Sequence, residues 1–216
     1  KQVWHKVKVK DHAAEVLGAL PDTPPVADLA DMMAVVRAGA PMLAALRRGL
    51  QVAQAAPSRF ATYAVGDVTW HPPVRTPSKI VCIALNNRAL DAVKIKAPTD
   101  HPAFFLKPFT ALTGHLQPIE LRRAFGLTHP EPELGVVIGT RLRHASPAQA
   151  IAGVYGYTIV NDVTCVGMRE EDSFTVRTFR PGADGSISVG EAHTSYPGRY
   201  KASDTFAPMG PFLVTR

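Results

Sequence analysis

The run Glu131-Pro132-Glu133-Leu134-Gly135-Val136-Val137-Ile138-Gly139 constrains the fold more than any other part of the chain. Leu134 to Ile138 is almost wholly apolar and rich in β-branched residues, the composition of a buried strand. An extended chain repeats every two residues, so Glu131 and Glu133 project from one face at the strand's mouth while Pro132 points away. Proline is tolerated there because a strand start does not need its missing N–H. Two carboxylates on one face repel unless a cation lies between them. A second β-prone run, Val154 to Val160, delivers Asp162 just past its end. Glu131, Glu133 and Asp162 thus offer three oxygen donors with no sulfur or imidazole among them. Such a set suits a hard cation, Mg2+ first, with Mn2+ or Ca2+ as alternatives. On spacing alone the same acids also read as ordinary surface carboxylates at a solvated strand end.

Composition narrows the partners. The chain has 216 residues, 46% of them hydrophobic, enough for a full core and one main domain. No stretch is apolar over the roughly 20 residues that a membrane span requires. The basic start, with Lys1, Lys6, Lys8 and Lys10, has no apolar h-region after it, so no secretory signal is indicated. Cys82 and Cys165 both fall in strand-like contexts and read as reduced residues of a cytoplasmic protein. The net charge of +6 is carried by scattered Lys and Arg without a basic block or interleaved aromatics. That pattern argues against nucleic acid and for small anionic ligands.

Residues 1–75 read as a small N-terminal α+β module. Ala27 to Val36 and Met42 to Ala53 carry helical periodicity, and Gly39-Ala40-Pro41 separates them by a turn. Val68-Thr69-Trp70 is predicted as a short strand. Ser146-Pro147-Ala148-Gln149 places N-cap, N1 and N3 residues in capping-box order, predicting a short helix between the two acid-bearing strands. The turn-rich stretch within Glu170 to Tyr200 predicts a β-hairpin-like insertion at the rim of the site.

Five segments, in order, resemble the fumarylacetoacetate hydrolase family from about Asp11 onward. Pro77-Ser78-Lys79-Ile80-Val81-Cys82-Ile83-Ala84-Leu85-Asn86 is similar to the strand entering that family's catalytic domain. Phe104-Phe105-Leu106-Lys107-Pro108 with Thr110-Ala111-Leu112-Thr113-Gly114 is similar to its F-L-K-P and S-A-[LI]-x-G segments. The Glu131 to Gly139 run matches E-x-E-L-[AG]-V-V-I-G, and Gly156 to Thr164 matches G-Y-T-x-x-N-D-[VI]-[ST]. Lys201-Ala202-Ser203-Asp204-Thr205-Phe206-Ala207-Pro208-Met209-Gly210-Pro211 is similar to K-[SG]-[FS]-D-T-F-x-P-[LM]-G-P.

The resemblance implies a mixed α/β, mostly β fold, a β-roll catalytic domain over residues 76–216, in a homodimer. It implies Glu131, Glu133 and Asp162 as metal ligands and Lys201 as the cation that stabilises substrate or enolate charge. Lys107 and Thr113 are read as substrate contacts, with Lys107 alternatively snorkelling from a buried strand. The chemistry implied is a metal-stabilised enolate of a small anionic 2-oxo or 2,4-dioxo acid, leading to hydrolytic C–C cleavage. Decarboxylation, isomerisation or hydration of related acids is the alternative, and a catalytically silent metal-binding protein is a third reading.

Three departures bear on the reaction. Many relatives carry H-x-x-E in a lid after the first strand, where this chain has Leu90 and Val93. His101, in the presumed lid, and His129, two residues before the first ligand, are the candidate replacement bases, with His193 a weaker one. After the Asn-Asp motif relatives often carry Arg and Gln; Val166 and Arg169 stand at the matching offsets, and Arg169 is expected to bind the substrate carboxylate. The family normally continues past the point where Arg216 falls, so the sequence is expected to be part of a longer polypeptide or incomplete as an enzyme.

Overall fold

The computed structural model describes residues 31–87 and 100–216. The start of the first predicted helix, Ala27 to Ala30, and the lid positions Leu90 and Val93 lie outside the described residues.

Helix α1 spans Met32–Ala55. The Asp31 carboxylate accepts from the Met33 N–H at 2.9 Å, satisfying one of the amides that a helix start leaves open. The two helices expected from periodicity meet at the predicted turn, where Gly39 leaves helical geometry. Gly39 takes φ 65° and ψ −146°, a backbone conformation that glycine reaches at little cost, just before Pro41. Val35, Met42 and Ala45 bury together along α1. Val68 to Trp70 is irregular chain rather than the predicted strand. Its Trp70 ring packs edge-on against Phe212, centroids 5.4 Å apart, so burial of the aromatic replaces strand pairing as the local organiser.

The rest of the described chain is strand-rich and mixed α/β. β1 (Ile80–Ala84) pairs antiparallel with β2 (Ala103–Lys107), setting Cys82 opposite Phe105 and Ile80 opposite Lys107. β3 (Leu112–Thr113) is followed by β4 (Thr128–His129), β5 (Pro132–Ile138) and helix α2 (Pro147–Ala152). The Ser146 hydroxyl and the Gln149 side chain close the reciprocal bonds of the predicted capping box at the start of α2. β6 (Val154–Asn161) returns antiparallel along β5, with Pro132 opposite Asn161 and Glu133 opposite Val160. β7 (Thr164–Cys165) pairs with β4 and leads into α3 (Val166–Glu171). The predicted insertion is a long antiparallel ribbon of β8 (Ser173–Pro181) and β9 (Ile187–Ser195). Helix α4 (Gly198–Ala202), β10 (Ala207–Pro208) beside β3, and β11 (Val214–Thr215) on the far edge of β6 complete it.

The main core gathers Val163, Cys165, Met168, Tyr200 and Phe206, with Phe125 edge-on to Phe206. It lies directly behind Asp162 and Lys201, through their chain neighbours Val163 and Tyr200. One expectation is corrected. β5 forms as predicted, but its apolar side chains are not buried: Leu134 is 69% exposed, and Val136 and Ile138 are about half exposed. Leu134 faces Ile159 of β6, itself 67% exposed. The reason is geometric. β5 and β6 bond edge to edge, so pairing satisfies their backbones without covering this face, and among the described residues no other layer packs on it.

Candidate active site

The antiparallel return of β6 along β5 brings the first and third acids to one place. The Glu131 amide donates to Asn161 Oδ1 at 3.0 Å, and the Asp162 amide donates to the Glu131 carbonyl at 2.8 Å. These bonds tie the chain before β5 to the chain after β6. Both side chains then meet Lys201 of α4. Its ammonium donates to Glu131 Oε2 at 2.8 Å and to Asp162 Oδ2 at 2.7 Å, and sits 5.0 Å from the centre of the Phe105 ring. Lys201 is 12% exposed, Asp162 8% and Glu131 31%, so the cluster is screened from bulk water but open on one side.

The electrostatics follow from that burial. Burial pulls the Lys201 ammonium down, but its bonds to Asp162 and Glu131 outweigh it and hold it above the usual lysine range. Burial would raise Glu131, yet hydrogen bonds from Lys201, Thr164 and His129 keep it below the usual carboxylate range. Glu133 is pushed up, first by burial and then by the negative charges of Asp162 and Glu131. The Cys82 thiol is pushed up to about 11, by burial first and then by Asp162.

Lys107 takes the buried place, the second of the two expected for it. Its side chain is 0% exposed, and its ammonium stands 2.8 Å from Asp162 Oδ1. It donates to the carbonyls of Phe206 at 2.9 Å, Val163 at 3.4 Å and Lys201. With its three protons committed inside the protein, Lys107 holds the backbone around Asp162 and Lys201 instead of facing substrate. Asp162 Oδ1 therefore receives charge from Lys107 but no aligned hydrogen bond, a buried carboxylate oxygen left without a hydrogen-bond partner.

The other predicted residues are spread more widely. His129 is at the cluster, its Nε2 3.1 Å from Glu131 Oε1. His101 instead meets its neighbour Asp100 at 2.7 Å on the surface. Thr113 lines a cavity of about 280 Å³ with His71, Arg75 and Gln117, a lining that includes none of the acids or Lys201. Arg169 is exposed on α3, and His193 lies on the ribbon near Thr175. Sequence reasoning missed Asn161, Thr164 and Phe105 as organisers of the site. All three lie inside or beside quoted motifs, where Asn161 and Thr164 flank Asp162; only the register shows what they touch.

The donors are all carboxylate oxygens, the chemistry a hard divalent cation takes, and the charges of Asp162 and Glu131 reach Glu133. The expected three-ligand cradle is nevertheless not preformed: among the described residues no three His, Cys, Asp or Glu side chains stand close enough together to hold a metal ion. The Lys201 ammonium bridges two of the acids, and Glu133 stands apart from that bridge.

Comparison with known proteins places this arrangement. Residues 79–216 match the family described as Fumarylacetoacetate (FAA) hydrolase C-terminal. The chain is 33% identical over 153 residues to 2,4-didehydro-3-deoxy-L-rhamnonate hydrolase of Sphingomonas sp. (strain SKA58), covering 69% of this chain and 45% of that protein. It is 31% identical over 157 residues to oxaloacetate tautomerase YisK of Bacillus subtilis, covering 70% and 44%. The crystal structure of maleylpyruvate hydrolase from Sphingobium sp. SYK-6 in complex with manganese(II) ion and pyruvate superposes with a TM-score of 0.57 at 26% identity, over 94% of this chain and 59% of that one. The chain spans about half the length of the curated relatives it matches. A family match over most of the chain, on a strand-rich fold that gathers the matched acids and lysine, makes the conclusion plain: this chain belongs to the fumarylacetoacetate hydrolase family.

Proposed function

We propose that this chain carries an enolate-stabilising site for small 2-oxo or 2,4-dioxo acids, and that its reaction is hydrolytic cleavage of a C–C bond. The observation that carries the reading is the half-buried cluster in which Lys201 bridges Glu131 and Asp162 beside the buried Lys107 ammonium. Glu131, Glu133 and Asp162 would hold the divalent ion, Mg2+ or Mn2+, which when bound supplies positive charge to adjacent substrate oxygens. The manganese and pyruvate of the Sphingobium hydrolase structure support that choice of ion and of substrate class.

The chain's own residues supply the remainder. Lys201, cationic well above neutrality, offers a fixed positive charge where negative charge develops as a carbon acid loses its proton or its acyl group. Lys107 and the Val163 to Phe206 core hold the Lys201 backbone, so that charge is placed before substrate arrives. Asn161 fixes the Glu131 backbone. Water activation falls to His129, the histidine at the cluster. The proposal includes a cytoplasmic homodimer with residues 1–75 as a covering module.

One observation favours a second reading, keto–enol tautomerisation or isomerisation. His129 is engaged by Glu131 and His101 by Asp100, and a tautomerase needs no activated water. The relative from Bacillus subtilis is named for that activity. Product analysis separates the two. Incubation with an acylpyruvate yields pyruvate and a carboxylic acid if the enzyme is a hydrolase. Loss of the enol absorbance of oxaloacetate without new products marks a tautomerase. In either case Glu131→Gln is expected to lower turnover by at least about a hundredfold, the scale of losing one charge-stabilising group. Turnover unchanged in Glu131→Gln contradicts the site.

A further inference from the structure

One oxygen of Glu131 is held by two donors. The Thr164 hydroxyl lies 2.6 Å from Glu131 Oε1, and His129 Nε2 lies 3.1 Å from the same atom. The two donors are directly opposed partners in the β4–β7 ladder, where His129 pairs with Thr164. Two adjacent strands thus aim both side chains at one carboxylate oxygen. The Thr164 hydroxyl also approaches the Asp162 carbonyl at 3.0 Å. It has a single proton, and the shorter contact to a charged acceptor takes it. An ionised carboxylate only accepts, so His129 presents Nε2–H to it.

We propose that Thr164 and His129 form a clamp on Glu131 Oε1 that fixes which oxygen of this ligand is offered to a cation. With Oε1 occupied from the β4–β7 side and the Glu131 backbone tied to Asn161 and Asp162, Oε2 is the oxygen that faces Lys201 at 2.8 Å. The carboxylate cannot turn without breaking two hydrogen bonds. Glu131 is therefore presented in one orientation, and the cost of ordering it is met during folding rather than on binding. Thr164 is a positioning residue that acts through Glu131. His129 orients the same oxygen through its Nε2–H in the resting site, in addition to the water-base role proposed for it. The inference rests on the proposed cation site.

The test is calorimetric titration of Mn2+ into the metal-stripped protein and its variants, with no substrate present. Thr164→Val keeps the shape and removes the donor; its affinity is expected to fall by about 10- to 100-fold, the usual effect of deleting a hydrogen bond to a metal ligand. Thr164→Ser restores the hydroxyl and is expected to restore affinity to within about threefold of the parent, which a purely structural loss would not do. His129 is exposed, so His129→Ala tests the second donor without threatening the fold and is expected to weaken binding in the same direction. Glu131→Gln is the control for the site itself. Parent binding that is lost in Glu131→Gln but unchanged in folded Thr164→Val and in His129→Ala overturns the clamp and leaves the site standing. An absence of binding in the parent, or binding that survives Glu131→Gln, overturns the site and the clamp with it.

Discussion

Lys107 is a residue whose two sequence readings, a substrate contact or a lysine of a buried strand, differ in where the ammonium lies, and the fold encloses it. Burial is the first influence and pushes it below the usual lysine range, with Asp162 working the other way. Removing Lys107 takes one of its two ammonium partners from the buried Asp162 and leaves three carbonyls without their donor. Lys107→Met is therefore expected to cost about 3–5 kcal/mol, measured as a shift in the urea midpoint at constant slope. A substrate-contacting lysine would instead change KM and leave that midpoint alone. Cys82 gives a pH prediction. Its thiol is held up to about 11 against a free value of 9.0, by burial first and then by Asp162. A raised thiol favours the folded state below 9.0, and that preference is lost as pH climbs from 9.0 toward about 11. Alkylation of Cys82 in the native protein is expected to be slow near neutrality and to accelerate through that upper value; rapid modification near neutrality contradicts the placement.

At the scale of elements, the local signals were legible and the long-range ones were not. The capping box at Ser146, the ribbon within Glu170 to Tyr200 and the break at Gly39 and Pro41 all rest on chemistry within a few residues, and each appears. The period of two found β5 and placed Glu131 and Glu133 at its mouth. It could not say that Leu134 and Ile159 would lie on an open face, because burial depends on what packs against a sheet and not on its own sequence. The strand expected at Val68 to Trp70 failed for a related reason. Apolar residues signal burial, and here the burial is aromatic packing on Phe212. The same segment makes a close approach to Gly114: a Cβ there would lie 1.8 Å from the Trp70 carbonyl oxygen, a backbone atom that cannot rotate away. Gly114→Ala is expected to destabilise the protein by about 1–3 kcal/mol as the Trp70 segment is forced off, read as a lowered Tm. An unchanged Tm would mean that this contact is not formed.

For the whole molecule, the ordered motifs pointed to the family because they sample strands that the fold brings together from distant parts of the chain. Glu131, Asp162 and Lys201 are separated by long stretches of sequence and meet within hydrogen-bond distance. Sequence also named Glu133, and the fold keeps it within reach of the charges on Asp162 and Glu131 without bonding it to Lys201. What sequence did not disclose is the support behind those acids: Lys107 beneath Asp162, and Thr164 with His129 on Glu131. Register decides such contacts, and register is a property of paired strands rather than of either strand alone. The matched relatives carry both hydrolase and tautomerase names, and the proposed enolate-stabilising site is compatible with either. Its most direct test is calorimetric titration of Mg2+ and Mn2+ into the metal-stripped protein beside Glu133→Gln, with oxalate as an enolate mimic. Binding is expected to weaken sharply in Glu133→Gln and to tighten in the parent when oxalate is present. Absence of binding in the parent, or binding indifferent to both Glu133→Gln and oxalate, would contradict the proposed site.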